Sequence, residues 1–363
     1  MGKNVDIEGK SNRVYVSFYE RSQYERLIAK RLLFLAFCAI SLFFLIGLSL
    51  SLGSAQISLT EAYLVIFNKL GAGAFEVNEI AERVVIYLRM PRTVMAALSG
   101  AVLAISGSTV ITVLRNSLAT PYTLGVSSAA GFGAAIAIIL GRGIIEGGLL
   151  IISNAFVLSL IPALVILLFS KKSWVSSETI ILTGVAMNYI FSAANTLLQF
   201  FAESEAVRAT VFWLVGDLAR ADWWQIPYVL GILVFLFLVN MRLAWDLNVM
   251  RIGDVAAKAL GVEANKVRRI VLLTACLTTA TVVSFTGAIG FIGLLSSHIC
   301  RIMIGRDERY LIPASGLFGA NLLLAADIVA RRIMAPIMLP VGAVTAILGG
   351  PMLLFLLLRR RES

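Results

Sequence analysis

Ten stretches of mostly apolar residues follow one another along the chain, separated by short segments that carry charged and turn-forming residues. A helix that crosses the hydrocarbon core of a bilayer needs about 20 such residues. Continuous runs of this length predict membrane-spanning helices rather than the alternating strands of a membrane barrel. Eight runs are sharply bounded, and they cover residues 32–52, 93–114, 149–169, 179–201, 226–241, 270–289, 311–329 and 338–358.

Two further runs have weaker patterns. Residues 122–140 are rich in Gly and Ala, and residues 291–304 are short and contain His298 and Arg301, so the second run predicts a half-span or a tilted helix. Counting both, the predicted fold is an all-α polytopic membrane protein with about ten transmembrane helices. Small residues at Ala96, Gly100 and Ala104 predict close packing of the second span against other helices.

The positions of Lys and Arg predict the orientation of these spans. With ten spans, 22 of the 31 basic residues fall on the side that holds both termini, and 9 fall on the other. Basic residues in short loops favour the cytoplasmic side, so both termini are predicted to be cytoplasmic. We divide the chain into an N-terminal arm (1–31), a permease domain (32–358) and a tail (359–363). The first span is interpreted as uncleaved, although a signal peptide is the alternative.

Composition excludes several classes of protein. The chain is 59% hydrophobic and 14% charged, where soluble domains carry roughly 25% charged residues. Its net charge of +10 is spread over short loops, so topology explains it and nucleic-acid binding is not expected. The basic arm is expected to contact water or lipid headgroups.

Candidate chemistry is sparse. Three separated cysteines and one histidine predict neither a metal site nor a cofactor. Lys10 and Ser11 resemble the end of a phosphate-binding loop, but a required glycine is replaced by Asn4. No nucleophile and base stand out, so we expect no enzymatic activity, and any ATP must be bound by another chain.

Polar residues within spans are candidates for function, because burying them in a membrane is unfavourable. Asp327 and Arg331 are four positions apart on one predicted helix, close enough for an intramembrane ion pair. Asn188 and Asn195 share one face of the fifth span. With Met187 and Gln199 nearby, that face predicts the wall of a mildly polar translocation path.

Two loops carry further signals. Arg89 and Arg92 flank Pro91 at the outer mouth, against the prevailing charge bias, which favours an acidic partner; snorkelling to lipid phosphates is the alternative. In the cytoplasmic loop 242–269, residues 254–261 predict a short helix with Asp254 in its first turn, Lys258 four residues later and a cap at Gly261. Such a helix is either a knob for another protein or a helix on the membrane surface.

Several motifs, in this order, resemble the FecCD family of permease subunits, which belong to ATP-driven type II ABC importers for iron-siderophores, haem and cobalamin. The resemblance covers nearly the whole chain from Leu32 to Arg361. The motifs are RMPR at 89–92, GAVLAISG at 100–107, RNSLATP at 115–121, WLVG at 213–216, GAIGFIGL at 287–294, ADIVAR at 326–331, LPVG at 339–342 and GGP at 349–351.

The resemblance implies roles for individual residues and partners. Arg89, Arg92, Arg331 and Arg332 resemble arginines that dock an extracytoplasmic substrate-binding protein. Asp254, Ala257, Lys258, Leu260 and Gly261 belong to the segment similar to the coupling helix that contacts the ATPase. Ser176 and Ser177 stand at the family's cytoplasmic gate. Two copies of an ABC ATPase and a second permease copy, identical or paralogous, are the other implied partners.

The chain also departs from the family at several positions. Ile111 and Met338 replace polar residues that are common there, which predicts a translocation path less polar than in relatives. The resulting prediction is a permease of the prokaryotic cell membrane that imports an iron chelate or a corrinoid. The alternative is a secondary transporter driven by an ion gradient, with Asp327 as the coupling-ion site, although we find no inverted repeat typical of that class.

Overall fold

The computed structural model describes residues 5–53, 55, 57–69, 71, 73, 75–170, 176–335 and 337–359, with side chains described from residue 25 to residue 355 of this set. Within it the chain forms fifteen α-helices: α1 (Val5–Ser51), α2 (Leu59–Lys69), α3 (Glu79–Arg83), α4 (Met90–Leu114), α5 (Val126–Leu140), α6 (Leu150–Ser170), α7 (Ser177–Phe200), α8 (Ser204–Val215), α9 (Ile226–Arg242), α10 (Ala244–Met250), α11 (Asp254–Ala259), α12 (Ala264–Thr286), α13 (Ile292–Ile304), α14 (Glu308–Arg332) and α15 (Val341–Arg359).

Ten of these helices occupy the ten predicted spans. Seven segments of the described chain are long and apolar enough to cross a membrane, and α5, α13 and α15 are shorter apolar helices. The prediction of an all-helical, multi-span protein is therefore confirmed. The weak run at 291–304 forms α13, which has 13 residues and so is about 20 Å long, less than the thickness of a hydrocarbon core.

The centre of the bundle is α4, which packs against α9, α12, α13 and α14. Small residues make this packing close. A side chain added at Gly100 would place its Cβ 2.3 Å from the carbonyl oxygen of Gly319, and one at Gly107 would lie 2.7 Å from Gly293 Cα. Since lipid offers no hydrophobic drive between helices, such direct backbone contact supplies the packing energy.

A wide helical turn precedes α4. Residues 84–89 form a π-helical turn directly before Pro91. Proline lacks an N–H and its ring clashes with the carbonyl four residues earlier, so a local widening of the helix relieves the clash. The widened turn presents Arg89 to the end of α1.

One predicted outer loop contains a helix that the sequence pattern did not predict. The outer loop 202–225 was expected to lack a span, and it contains the twelve-residue helix α8, too short to cross but buried at Trp213. Beyond α8, Gly216 has a φ of +78° and accepts a hydrogen bond from Gly342 N at 3.2 Å. Backbone of this irregular kind survives at membrane depth where protein surrounds it.

The boundary between arm and permease at residue 31 has no counterpart in the backbone, because α1 runs continuously from Val5 to Ser51. Of the predicted terminal segments, residues 1–4 and 360–363 lie outside the described chain. The division into domains stays a prediction.

Polar contacts join the predicted inner loops to one another and the outer loops to one another. Arg31 before the first span bonds Asp307, at 3.2 Å, and both residues are predicted to be cytoplasmic. At the opposite end, Arg331 donates to Ser49 Oγ at 2.7 Å. This segregation agrees with an even number of spans and with the orientation inferred from charge.

Candidate functional site

The outer end of the bundle contains a buried three-charge cluster, formed by Arg92, Asp327 and Arg331. Arg92 Nη2 lies 2.7 Å from one carboxylate oxygen of Asp327, and Arg331 Nε lies 3.0 Å from the other. The Asp327 side chain is 0% exposed. Sequence spacing anticipated the contact with Arg331, whereas Arg92 comes from a helix 235 positions away.

Other groups of the same chain accept further hydrogen bonds from the arginines at this end. Arg92 also donates to Met338 Sδ at 3.6 Å, and Arg331 to the carbonyl oxygens of Ser49 and Leu52. Arg89 donates to the carbonyl oxygens of Leu50, Ser51 and Ala55 at 2.6–2.9 Å. Arg89 thereby satisfies two unpaired carbonyl groups in the last turn of α1, those of Leu50 and Ser51, and ties the loop residue Ala55 to them.

Three of the predicted docking arginines, Arg89, Arg92 and Arg331, are bonded within the chain, and their role in docking stays a prediction. Arg89 and Arg92 are buried. The guanidinium of Arg331 contacts Asp327, Ser49 and Leu52 of the same chain. The sequence could not reveal this because the partners lie on other helices. Of the four predicted docking residues, Arg332 is the exposed one.

A cavity of about 380 Å³ opens beside this cluster. It is lined by Ala209, Phe212, Trp213, Asp217, Arg220, Met338 and Pro340. Asp217 lies 3.9 Å from Arg92 Nη2. The lining includes one acidic and one basic side chain, Asp217 and Arg220; burial lowers the pKa of Arg220 and the nearby Asp217 opposes this shift.

The inner end of the bundle holds α11, which with Gly253, Leu260 and Gly261 forms the segment we call the knob (residues 252–261). Asp254, its first helical residue, accepts hydrogen bonds from Arg268 Nη2 at 2.8 and 2.9 Å and an ion pair from Arg115 at 3.2 Å. Arg115 and Arg268 therefore hold this carboxylate, rather than Lys258 four residues later on the same helix. Arg115 lies 139 residues before Asp254 and Arg268 lies 14 residues after it. Neither spacing predicts a contact with Asp254.

The knob presents apolar side chains to its surroundings. Ile252, Val255 and Leu260 are 70%, 88% and 63% exposed, whereas Ala257 is buried against the protein. Gly261 has a φ of +83°, the left-handed conformation that a glycine adopts readily after a helix. An exposed apolar surface on a short capped helix is typical of a protein contact.

A second polar group lies near the knob, around Asp307 at the start of α14. Its carboxylate accepts bonds from Arg309, Asn248 and Arg31. Burial favours a higher pKa, but the hydrogen bonds from Arg309 and Asn248 outweigh it and lower the pKa of Asp307 to about 2. The carboxylate therefore stays ionised and holds α10, α14 and the start of the first span together.

Of the predicted path residues on α7, Asn188 is bonded to a neighbouring segment of the same chain. Asn188 donates to the carbonyl oxygens of Tyr122 and Thr123, both at 3.2 Å, and accepts from Ser128 at 2.8 Å. The amide of Asn188 therefore satisfies the loop before α5, and its place in the wall of a path stays a prediction. Met187, Asn195 and Gln199 are half-buried on the same helix, and their role in a path stays a prediction.

The predicted gate residues stand at the start of α7. Ser176 is the N-cap, and its hydroxyl accepts from Thr179 N at 3.2 Å. Ser177 Oγ is buried, with no hydrogen-bond partner among the described residues. A capping serine explains where α7 begins, and the role of Ser176 and Ser177 in a gate stays a prediction.

Taken together, ten apolar helices with a buried ion cluster at one end and the apolar knob at the other have the architecture of a multi-span membrane protein. Residues 41–359 match the model of the FecCD transport family, and the chain belongs to that family. It is a multi-pass protein of the prokaryotic cell membrane and a permease subunit of an ABC transporter, a class that works with a separate ATPase and with substrate-binding partners.

Similar proteins agree with this assignment. An ABC transporter permease protein of Methanocaldococcus jannaschii is 40% identical over 93% of this chain and 97% of its own length. The vitamin B12 import system permease protein BtuC of Klebsiella pneumoniae is 36% identical over 76% of this chain and 82% of its own. A solved inward-facing structure of a metal-chelate type ABC transporter superposes with a TM-score of 0.79 at 27% identity, over 90% of this chain and 98% of that one.

Proposed function

We propose that the protein is the membrane subunit of an importer that moves a corrinoid or an iron chelate, such as a siderophore complex or haem, into the cell. An extracytoplasmic binding protein delivers the substrate, and two copies of a separate ABC ATPase drive its release inward. The observation that carries this proposal is the knob. Its exposed Ile252, Val255 and Leu260 form an apolar contact surface at the end of the bundle predicted to be cytoplasmic.

A second copy of the permease is expected to pack against α7. In the most apolar stretch of α1 and in that of α7, only 17% of the residues are buried within the chain. The mean hydropathy of these stretches nevertheless differs, at 2.6 for α1 and 1.4 for α7. The high mean hydropathy of α1 is typical of a helix that contacts lipid. The less apolar α7 exposes the polar residues Ser192 and Thr196. Such a face favours a protein interface or a hydrated path. A path along α7 would then run along this exposed face, offset from Asn188.

Docking of the binding protein is assigned to the outer end, where the buried cluster of Arg92, Asp327 and Arg331 retains a net positive charge. Exposed Arg332 lies directly beside it. Rim charges act mainly through the rate of encounter. We expect Arg332→Glu to slow association with the binding protein, with a smaller difference at high salt, while exposed Arg142→Glu leaves it unchanged; equal rates for both variants contradict this docking surface.

The ion-gradient alternative is disfavoured by the surroundings of Asp327. A coupling-ion site needs a carboxylate that gains and loses a cation. Two arginines already neutralise this carboxylate at 2.7 and 3.0 Å. In our proposal Arg92, Asp327 and Arg331 form a structural ion cluster and bind no coupling ion.

Reconstitution tests the proposal directly. The permease, its ATPase and its binding protein in proteoliposomes are expected to accumulate cobalamin, haem or a ferric siderophore when ATP is enclosed with the ATPase. Val255→Asp should abolish ATPase binding, because it places a charge on the knob, while Val157→Asn on α6 serves as a membrane-face control. Uptake driven by an ion gradient without ATP contradicts the proposal.

A further inference from the structure

Arg268 connects three separate parts of the inner end. Its Nη2 donates both short bonds to Asp254 on the knob, and its Nε donates to the carbonyl oxygen of Val113 near the end of α4 at 3.2 Å. Its Nη1 donates to Asn265 in the first turn of α12 at 2.9 Å. The Arg268 side chain is 4% exposed, so its position is fixed by these bonds and by packing.

Arg115 holds the same carboxylate from the other side, and its backbone is unusual. Its φ is +52°, a left-handed conformation that is rare outside glycine and persists only where the surroundings hold it. Gly253, at a φ of +135°, lies so close that a Cβ there would stand 3.3 Å from Arg115 Nη1. The chain thus places two irregular backbone positions side by side at Asp254.

We propose that Arg268 and Arg115 are positioning residues for energy coupling. They clamp Asp254 so that the knob, the inner end of α4 and the start of α12 move as one body when a partner pushes the apolar surface of the knob. This inference rests on the proposed function, in which the ATPase is that partner. A loop helix tethered by its two chain ends alone would absorb the push by tilting.

The direction of transmission follows from α4. This helix carries Arg115 just beyond its inner end and Arg92 in its first turn, where Arg92 binds Asp327 at the outer mouth. The 23 positions between the two arginines correspond to about 35 Å along a helix. Displacement of the clamp therefore reaches the outer cluster through one continuous, closely packed helix.

The first test measures the geometry of the permease alone. Spin labels at Val255→Cys and Leu118→Cys, in a protein whose Cys38, Cys276 and Cys300 are replaced by alanine, report the distance between the knob and the loop after α4. Arg268→Met should broaden the distance distribution, and Arg268→Lys should broaden it less. Arg269→Met, one residue along, is the matched control and should leave it unchanged. An equal distribution in all three variants overturns the clamp, whatever the transporter carries.

The second test measures coupling in proteoliposomes with the ATPase and binding protein. Arg268→Met and Asp254→Asn should each lower substrate transported per ATP hydrolysed by at least about fivefold, which corresponds to about 1 kcal/mol. The double variant should lose no more than either single variant, because both changes open one clamp. Additive losses, or a ratio in Arg268→Met equal to that in Arg269→Met, overturn the inference. Absence of ATP-dependent uptake by the wild type instead contradicts the proposed function, and the spin-label result still decides the clamp.

Discussion

The two ends of the bundle repeat one arrangement, an aspartate held between two arginines, in different surroundings. At the outer end Asp327 is 0% exposed between Arg92 and Arg331. At the inner end the Asp254 side chain is 42% exposed between Arg115 and Arg268. Helix α4 contributes Arg92 to the outer cluster, and Arg115 directly follows the inner end of the same helix. Because the outer cluster is buried, water cannot replace a lost partner there, and we call this cluster the lock. Water reaches the inner group, which we call the clamp, and can replace part of its bonds.

The largest expected difference between the ends is in the free energy of unfolding. Asp327→Ala leaves two buried arginines without their counter-charge and should destabilise the protein by about 3–5 kcal/mol. Asp254→Ala should cost about 1–2 kcal/mol, because Arg268 keeps its other acceptors and water reaches the site. Unfolding in mixed micelles by denaturant titration measures both. Equal losses contradict the contrast between lock and clamp.

Double-mutant cycles sharpen the comparison. Arg92→Met with Asp327→Leu should be less destabilising than the sum of the single changes by about 2–3 kcal/mol, since an apolar pair leaves no unpaired buried charge. The corresponding inner cycle, Arg115→Met with Asp254→Leu, should give a coupling below about 1 kcal/mol, because both side chains are more than 40% exposed. Coupling of similar size at the two ends would show that exposure does not set the strength of these pairs.

Salt provides a smaller effect that distinguishes the same two sites. The Debye length falls from about 10 Å at 0.1 M to about 3 Å at 1 M ionic strength, and buried pairs are screened less than exposed ones. The destabilisation caused by Asp254→Ala should therefore shrink between these concentrations, while that caused by Asp327→Ala should stay constant. Thermal unfolding of both variants in the same detergent at the two salt concentrations gives the comparison.

The smallest expected effect concerns pH at the inner end. Asp307 has a pKa of about 2, below its ordinary value of 3.8, so its ionised form stabilises the folded state. That contribution is fully present above pH 3.8 and is lost as the pH falls toward 2. Asp307→Asn should lower the unfolding temperature at pH 7, and the difference from wild type should narrow from pH 4 to pH 3. Asp246→Asn, on the neighbouring α10, is the control; a constant difference contradicts the assigned pKa.

Local composition was sufficient for much of the architecture. The length of each apolar run predicted where helices cross, since a span must satisfy its own backbone within the segment. The bias of basic residues predicted sidedness, and the short capped helix at 254–261 was visible from Asp254 and Gly261. The pair of Asp327 and Arg331 was also accessible, because four residues make slightly more than one helical turn.

The remaining features depend on which helices become neighbours. The bonding partners of Arg89 and Arg92 were not predicted, since the end of α1 and Asp327 receive these side chains only in the folded protein. Arg115 was noted in the sequence only as the first residue of the motif at 115–121 and Arg268 was not singled out, yet both hold Asp254.

What the sequence by itself determined is therefore the set of spans, their orientation and the local caps, which depend on residues within about one bilayer thickness of chain. What only the tertiary structure decided is the partner of each buried charge and the direction in which Asn188 faces. The physical reason is that an ionised or amide side chain in a dry interior must bond whichever group packing places beside it. In this protein, small residues such as Gly100 and Gly319 determine that packing by letting distant helices touch.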